Sequence, residues 1–302
     1  MIPASAITEV LEQLGLQPRL IRTLKNIPFE NASWLVETRS GDACVLRRYH
    51  DRATLDDLVY EHAVLRHLAE RGWVVPNPVG NLVRHSDRWY CPTRYVPGAP
   101  VGEEPPDQRR RRGRDLAALH LALRHLGEHL GQRPGWRPQH TAVTCHDDID
   151  WEASVRDFAK AHPELGNWAR RAAGHAHATL AALGADDLPL LVIHGDFAEW
   201  NVHYQDDRLA GVIDFGLTHL DSRPYELAIA RTYRSPETID AYREELAASD
   251  WPLSDLEEAA IEPMHSAFRV DMVAWQLALG ERLDGYDVAM IERQLVRSGT
   301  AP

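Results

Sequence analysis

Three side chains able to bind a cation or move a proton stand in one ordered run. Asp196 lies in His194-Gly195-Asp196-Phe197-Ala198-Glu199-Trp200-Asn201, and Asp214 opens Asp214-Phe215-Gly216 directly after Val212-Ile213. Carboxylate and amide oxygens are hard donors that suit a cation such as Mg²⁺. A carboxylate left free beside such a pair can orient a hydroxyl and take its proton. The surrounding pattern indicates the elements that must place these groups. Leu190 to Ile193 is a short apolar run that reads as the end of a buried strand. Asn201–Tyr204 and Leu209–Ile213 read as two strands joined by the polar turn 205–208. An antiparallel pair centred on that turn puts Asn201 opposite Val212 and brings Asp214 close beside it, with Asp196 in the loop before the hairpin.

This order of residues resembles a known arrangement. Protein kinases use His-Arg-Asp, an Asn five residues after that Asp, and then Asp-Phe-Gly. Here the first triplet is His194-Gly195-Asp196, with the Asn spacing kept at Asn201 and Asp214-Phe215-Gly216 following. The His-Gly-Asp form resembles the aminoglycoside phosphotransferase and choline kinase superfamily, with features of its homoserine-kinase-like branch. The resemblance implies an α+β, two-lobed protein-kinase-like fold. Residues 1–96 would form a small antiparallel-sheet lobe that binds nucleotide, and residues 97–302 a larger, mainly helical catalytic and substrate-binding lobe. It implies ATP or GTP with Mg²⁺ as cofactors, and transfer of the γ-phosphoryl group to a small-molecule hydroxyl. Asp196 would orient the acceptor and take its proton, His194 would brace the loop, and Asn201 and Asp214 would hold the metal.

The first third of the chain supplies the rest of such a site. Ile7, Val10, Leu11 and Leu14 fall on one helical stripe. Strands are expected over 19–25, 33–38, 43–49, 82–84 and 89–95, and a helix over 55–71 with Thr54 and Asp57 as its capping pair and Gly72 as its stop. Within that helix Glu61 shares a stripe with Leu58, Leu65 and Leu68, which is costly for a carboxylate without a partner. The resemblance supplies one: a cation on the third strand that holds the nucleotide phosphates. The only lysines are Lys25 and Lys160. In Val45-Leu46-Arg47-Arg48 strand alternation puts Arg47 on the face of Val45, matching an Ala-x-Lys register, so Arg47 is the first choice and Arg48 its competitor. An arginine there forks bidentately where lysine acts as a point charge. The loop 26–33 carries no glycine, and no Gly-x-x-x-x-Gly-Lys segment exists elsewhere. Asn31 and Ser33 either donate to phosphate or form a plain turn. Tyr95-Val96-Pro97-Gly98-Ala99-Pro100 resembles the linker between kinase lobes, where the backbone of Arg94 and Val96 would contact the base; a turn after an edge strand would look the same.

Farther along, Gln108 to Arg114 is a basic run of the kind that marks a solvated helix face. Leu116, Leu119, Leu123, Leu126 and Leu130 make one stripe, and His120 beside it reads as a core histidine. His125-Leu126-Gly127-Glu128-His129 has the His-x-x-Glu-His form of some zinc peptidases. Its histidines point away from the stripe, however, and a catalytic zinc needs a third ligand in shelter. Asp147 and Asp148, in Thr144–Trp151, either contact a substrate ammonium group, as acidic residues of antibiotic phosphotransferases do, or cap a helix. Glu199 and Asp221 are further candidate carboxylates for the acceptor. Leu217 to Ala228 resembles the family's continuation into a helix, with Glu226 where Asp is usual. Helices are expected over 239–247, 256–277 and 288–296. The absence of an Ala-Pro-Glu segment favours a small-molecule acceptor over a protein.

Bulk properties bound the partners. The 302 residues carry a net charge of −12, which disfavours nucleic acid and suits either a cationic substrate or plain solubility. No apolar run approaches the ~20 residues that span a bilayer. The start of the chain lacks the basic and apolar regions of a signal peptide. Cys44, Cys91 and Cys145 are odd in number and far apart, so neither a disulfide framework nor a zinc site is expected. A cytoplasmic monomer or homodimer, with no membrane or nucleic-acid partner, is the expectation. The acidic balance puts an aminoglycoside or another cationic antibiotic first as acceptor, in a resistance role. The Val-Leu-Arg strand and the Val-Ile-Asp-Phe and Leu-Ala-Ile-Ala strings favour the alternative, a homoserine-kinase-like enzyme or a choline or sugar kinase. A nucleotide-binding pseudokinase scaffold is the rival of another class, and the presence of every catalytic side chain except the lysine argues against it.

Overall fold

The computed structural model describes residues 4–26, 31–231, 235–283 and 285–300, so positions 27–30 of the loop weighed above lie outside the described residues. The chain divides into two compact units: residues 1–102 with 200–216, and residues 103–199 with 217–302.

In the first unit, β1 (Pro18–Asn26), β2 (Ala32–Thr38), β3 (Ala43–Arg48), β4 (Val83–His85) and β5 (Arg88–Arg94) form an antiparallel sheet in the order β1-β2-β3-β5-β4. Period-two alternation buries Trp34, Val36, Leu46 and Tyr90 on one face, where α1 (Ala4–Gln13) packs Ile7, Val10 and Leu11. The helix α2 (Leu55–Glu70) starts where the Thr54 hydroxyl accepts the Asp57 N–H at 3.2 Å. Leu58 of this helix clusters with Tyr49, Ala53 and Cys91. Cys91 lies opposite Arg47 in the β3–β5 register, so α2 faces the side of the sheet that carries Arg47.

The later strands are β6 (Leu190–Ile193), β7 (Val202–Gln205), β8 (Arg208–Val212) and β9 (His219–Ser222). The β7–β8 hairpin belongs to the first unit. Val212 donates to the Val74 carbonyl, and Tyr204 exchanges backbone hydrogen bonds with Ala99. Its turn residues Asp206 and Asp207 have φ of 50° and 59°, the left-handed pair that closes a two-residue hairpin. The register differs from the sequence expectation. An irregularity between His203 and Tyr204 shifts the pairing by one, so that Val202 faces Val212 and Asn201 accepts the Ile213 N–H at 2.9 Å.

In the second unit α3 (Pro106–Leu123) and α4 (Gly127–Leu130) come first, then α5 (Trp151–Ala161), α6 (Pro163–Leu183), α7 (Arg223–Arg231), α8 (Pro236–Ala248), α9 (Asp255–Arg282) and α10 (Val288–Arg297). Val155, Phe158, Trp168, Val273, Leu277 and Ile291 share one core cluster. Leu191, Ile193, Tyr225, Met264 and Phe268 share another, beside the β6–β9 pair. Two expectations are corrected here. The leucine stripe does not run through a single helix: α3 ends at Leu123, and a turn separates it from α4. The basic run is a solvated face only in part, with Arg109, Arg110 and Arg111 half-buried and Arg114 exposed. Gln108 and Arg112 are buried, because Arg112 finds a buried carboxylate that local composition does not show. His120 is buried with Nδ1 2.7 Å from the Tyr242 hydroxyl, as a core histidine should be. Among the described residues no helix is long and apolar enough to cross a membrane.

Candidate active site

Within the first unit the chemistry gathers around one arginine. Arg47 is 7 % exposed, and Glu61 is 1 % exposed. Arg47 Nη1 donates to Glu61 Oε1 at 2.9 Å, and Nη2 donates to Asp214 Oδ1 at 3.3 Å. Its guanidinium carbon also lies 5.0 Å from the centre of the Tyr49 ring. Burial works against the charge, but the Glu61 and Asp214 carboxylates outweigh it and hold the guanidinium above its usual range. Arg48, half-buried on the other face of β3, is lowered by its burial, which Tyr90 and Asp51 offset only in part. The register that set Arg47 beside Val45 is thus the one that aims it at Glu61. Ser33 lies opposite Arg47 across β2 and β3 and shares its face.

Asp214 and Asn201 sit at the open end of the hairpin, one on each side of it. Asn201 is 3 % exposed and closes a short 3-10 turn, Glu199–Asn201. Asp214 has φ of 62°, a left-handed conformation that aspartate adopts more readily than most non-glycine residues. Its side chain is 39 % exposed, so one oxygen can bind Arg47 while the carboxylate still reaches solvent. At Gly216 a Cβ would stand 3.2 Å from Arg47 Nη2, 3.4 Å from Asp214 Oδ1 and 3.6 Å from Asn31 Nδ2, which crowds the point where these groups meet.

In the second unit the Asp196 loop hangs on buried partners. Glu226, fully buried on α7, accepts the His194 N–H at 2.7 Å and the Gly195 N–H at 3.0 Å through Oε2, and the Phe197 N–H at 3.2 Å through Oε1. Burial alone would raise Glu226, but His120, His194 and the loop amides more than offset it and hold the carboxyl below its usual range. His120 Nε2 stands 3.8 Å from it, close enough for attraction and too far for a hydrogen bond. His194, itself buried, accepts the Asp196 N–H at Nδ1 over 3.1 Å, and its ring meets Phe197 edge-on. The Asp196 carbonyl takes the Ala198 N–H at 2.8 Å, a tight turn that leaves the Asp196 side chain half-buried. Gly195 has φ of 82° and lies so near Leu217 that a Cβ would stand 2.2 Å from its carbonyl oxygen; only glycine fits there.

The remaining candidates are distributed as follows. Asp147 is exposed and pairs with Arg137 at 2.6 Å, Asp148 is exposed, and helix capping falls to Asp150, which accepts the Ala153 N–H. Asp221 is fully buried: Oδ2 takes the Gln139 N–H and lies 3.3 Å from His219 Nε2, while Oδ1 takes the Ser222 N–H. Its oxygens are engaged inside the fold. Glu199 is half-buried, and its Oε2 is shielded from solvent without a hydrogen-bond partner among the described residues. The Arg94 N–H is taken by the Asn77 carbonyl at 2.8 Å, while Val96 is buried against Gly211. His125 pairs with Glu128 in solvent, and among the described residues no group of three or more His, Cys, Asp or Glu could hold a metal. Arg112 and Glu226 were missed as parts of the site; the family's Asp at the latter position was the available signal.

An antiparallel five-stranded sheet with a cation–glutamate pair, followed by a His-x-Asp loop and an Asp-Phe-Gly segment, defines the protein-kinase-like class. Solved structures agree on the fold. Aminoglycoside phosphotransferase APH(4)-Ia, in complex with ADP and hygromycin B, superposes with a TM-score of 0.67 at 18 % identity, over 99 % of this chain and 100 % of that one. An amicoumacin kinase superposes with a TM-score of 0.72 at 14 % identity, over 96 % of this chain and 92 % of that one. Residues 23–260 match the profile of the phosphotransferase enzyme family, and the chain belongs to that family. Among curated proteins, the homoserine kinase of Xanthobacter autotrophicus is 31 % identical over 66 % of this chain and 60 % of its own length. The homoserine kinase of Rhodospirillum rubrum is 33 % identical over the same shares. The chain thus spans about three fifths of the length of these relatives.

Proposed function

We propose that the protein transfers the γ-phosphoryl group of ATP or GTP to a hydroxyl of a small amino-alcohol acceptor, with Mg²⁺ as the cation. The observation that carries this reading is Arg47 held between Glu61 and Asp214. A buried arginine needs one carboxylate to offset its burial. Here it has a second, on the Asp of Asp-Phe-Gly, which marks where phosphate and metal charge would meet. The donor set fits a hard cation, because Asn201 and Asp214 both offer oxygen. When bound, the cation would neutralise charge building up on the transferred phosphates. Arg47 would supply positive charge to those phosphates, and Glu61 keeps it on the strand face. His194 holds the Asp196 backbone, so that Asp196 orients the acceptor hydroxyl and takes its proton. The transition state is loose, so placement and charge neutralisation matter more than bond-making by the protein.

The acceptor ranking differs from the sequence expectation. Relatives at 31 % and 33 % identity carry the name homoserine kinase, which supports a small hydroxylated amino acid or amine ahead of an antibiotic. The exposed Asp147 and Asp148 and the buried Asp221 lend no support to a large cationic acceptor. The test is nucleoside-diphosphate release with Mg-ATP and Mg-GTP across homoserine, amino alcohols, choline, sugars and aminoglycosides. Release dependent on homoserine or an amino alcohol supports the reading. Release only with an aminoglycoside replaces the acceptor, and tight nucleotide binding without release on any acceptor supports the scaffold.

Loss of the metal ligand should appear in binding rather than in folding. In Asp214→Ala the Arg47–Glu61 pair remains, so the fold is kept. Titration calorimetry should show Mg-ATP affinity at least tenfold weaker, while metal-free ATP binds within about threefold of the parent. Equal loss for both forms would show that Asp214 acts on the nucleotide alone.

A further inference from the structure

Arg112 is the one member of the arginine run 109–112 that is fully buried, at 1 % exposure. Its Nε donates to both oxygens of Glu104, at 3.1 and 3.0 Å, and both side chains are buried. Burial pushes the Glu104 carboxyl up and Arg112 pulls it back down, though not fully. A pair this deep is an expensive way to gain stability, since its desolvation cancels most of its attraction. The geometry shows another use. Arg112 Nη1 points at the Phe197 carbonyl, 3.3 Å away, on the residue that follows Asp196. The Phe197 N–H is already held by Glu226. One peptide residue is therefore gripped at both ends, its N–H by a buried anion and its C=O by a buried cation. With the Asp196 N–H on His194 and its C=O in the tight turn, the Arg112 contact completes the fixing of the backbone around Asp196.

We infer that Arg112, held in place by Glu104, is a positioning residue for Asp196: by anchoring the Phe197 carbonyl it sets the direction of the Asp196 carboxylate. This rests on the phosphotransfer reading for its effect on turnover, but the anchoring itself does not. Misplacing a catalytic group by an ångström costs large factors in rate without touching substrate affinity. Glu104 holds Arg112 through its Nε, and Arg112 in turn holds the loop at the Phe197 carbonyl.

The test uses two variants, because Arg112→Met alone strands Glu104 as a buried charge and can fail to fold. Glu104→Gln with Arg112→Met removes both charges together, and Arg112→Lys keeps the cation without the fork. Two readouts are taken: amide hydrogen exchange of the peptide spanning 194–201, and kcat and KM with an accepted acceptor. In the double variant the loop amides should exchange at least tenfold faster with the α9 and α10 peptides unchanged. Its kcat should fall at least tenfold with both KM values within about twofold, and Arg112→Lys should fall between it and the parent. Unchanged loop exchange in the double variant overturns the anchor. Faster loop exchange with full kcat overturns the positioning role. If the parent turns over no acceptor, the phosphotransfer reading fails, and exchange alone still decides whether Arg112 holds the loop.

Discussion

Asp196→Asn is expected to lower kcat by about a thousandfold, roughly 4 kcal/mol of barrier, with Mg-ATP still bound at close to parental affinity. The substitution keeps size and shape. The Asp196 N–H still reaches His194 Nδ1, and its carbonyl still takes the Ala198 amide, so the loop has no cause to move. What changes is the end of the side chain, which can orient a hydroxyl but cannot accept its proton. Groups that would grip the nucleotide, Arg47, Asn201 and Asp214, are untouched. The separation of effects is therefore sharp: rate is lost and binding is kept. Steady-state kinetics on an accepted acceptor, with calorimetry for the nucleotide, measures both. Turnover equal to the parent would strip Asp196 of its role. Loss of nucleotide binding would show instead that Asp196 serves the nucleotide.

The parts of this site that could be read in the sequence are those fixed by local rules. Alternation along β3 separates Arg47 from Arg48, because neighbouring side chains on a strand face opposite ways. A carboxylate amid leucines announces that Glu61 needs a partner, and Thr54 with Asp57 announces the start of its helix. Parts set by distant contacts stay hidden. Arg112 looks like its three neighbours until Glu104 and the Phe197 carbonyl are in view. Asp221 looks like a free acid, yet the strand it belongs to pairs with β6 and turns it inward to the Gln139 amide. The one-residue error at Asn201 has the same origin: an irregularity inside the hairpin leaves no mark on its hydrophobic pattern. Nor does any local pattern announce that this hairpin groups with the first unit rather than with the helices that flank it in sequence.

Glu226→Ala should destabilise the protein by about 3–5 kcal/mol, because three buried amides lose their acceptor together and each unpaired donor costs about 1–3 kcal/mol. Glu226→Gln should cost much less, about 1–2 kcal/mol. Its amide oxygen can take the place of Oε2 and serve His194 and Gly195, but its NH₂ then faces the Phe197 N–H, donor against donor. Glu226→Asp is the telling case, since Asp is usual in the family here. Shortened by one methylene on an unmoved α7, its carboxylate retreats from amides now held at 2.7–3.2 Å and should lose most of the same stability. The pH dependence follows from the depressed carboxyl. A group whose folded value lies below its unfolded value, 4.5 for a glutamate, stabilises the fold at neutral pH. That contribution fades as pH falls from the unfolded value through the lower folded one. Urea unfolding should therefore show the parent losing stability faster below about pH 4.5 than Glu226→Gln, with the two curves converging in acid. Parallel curves would mean that Glu226 does not hold the loop as an anion.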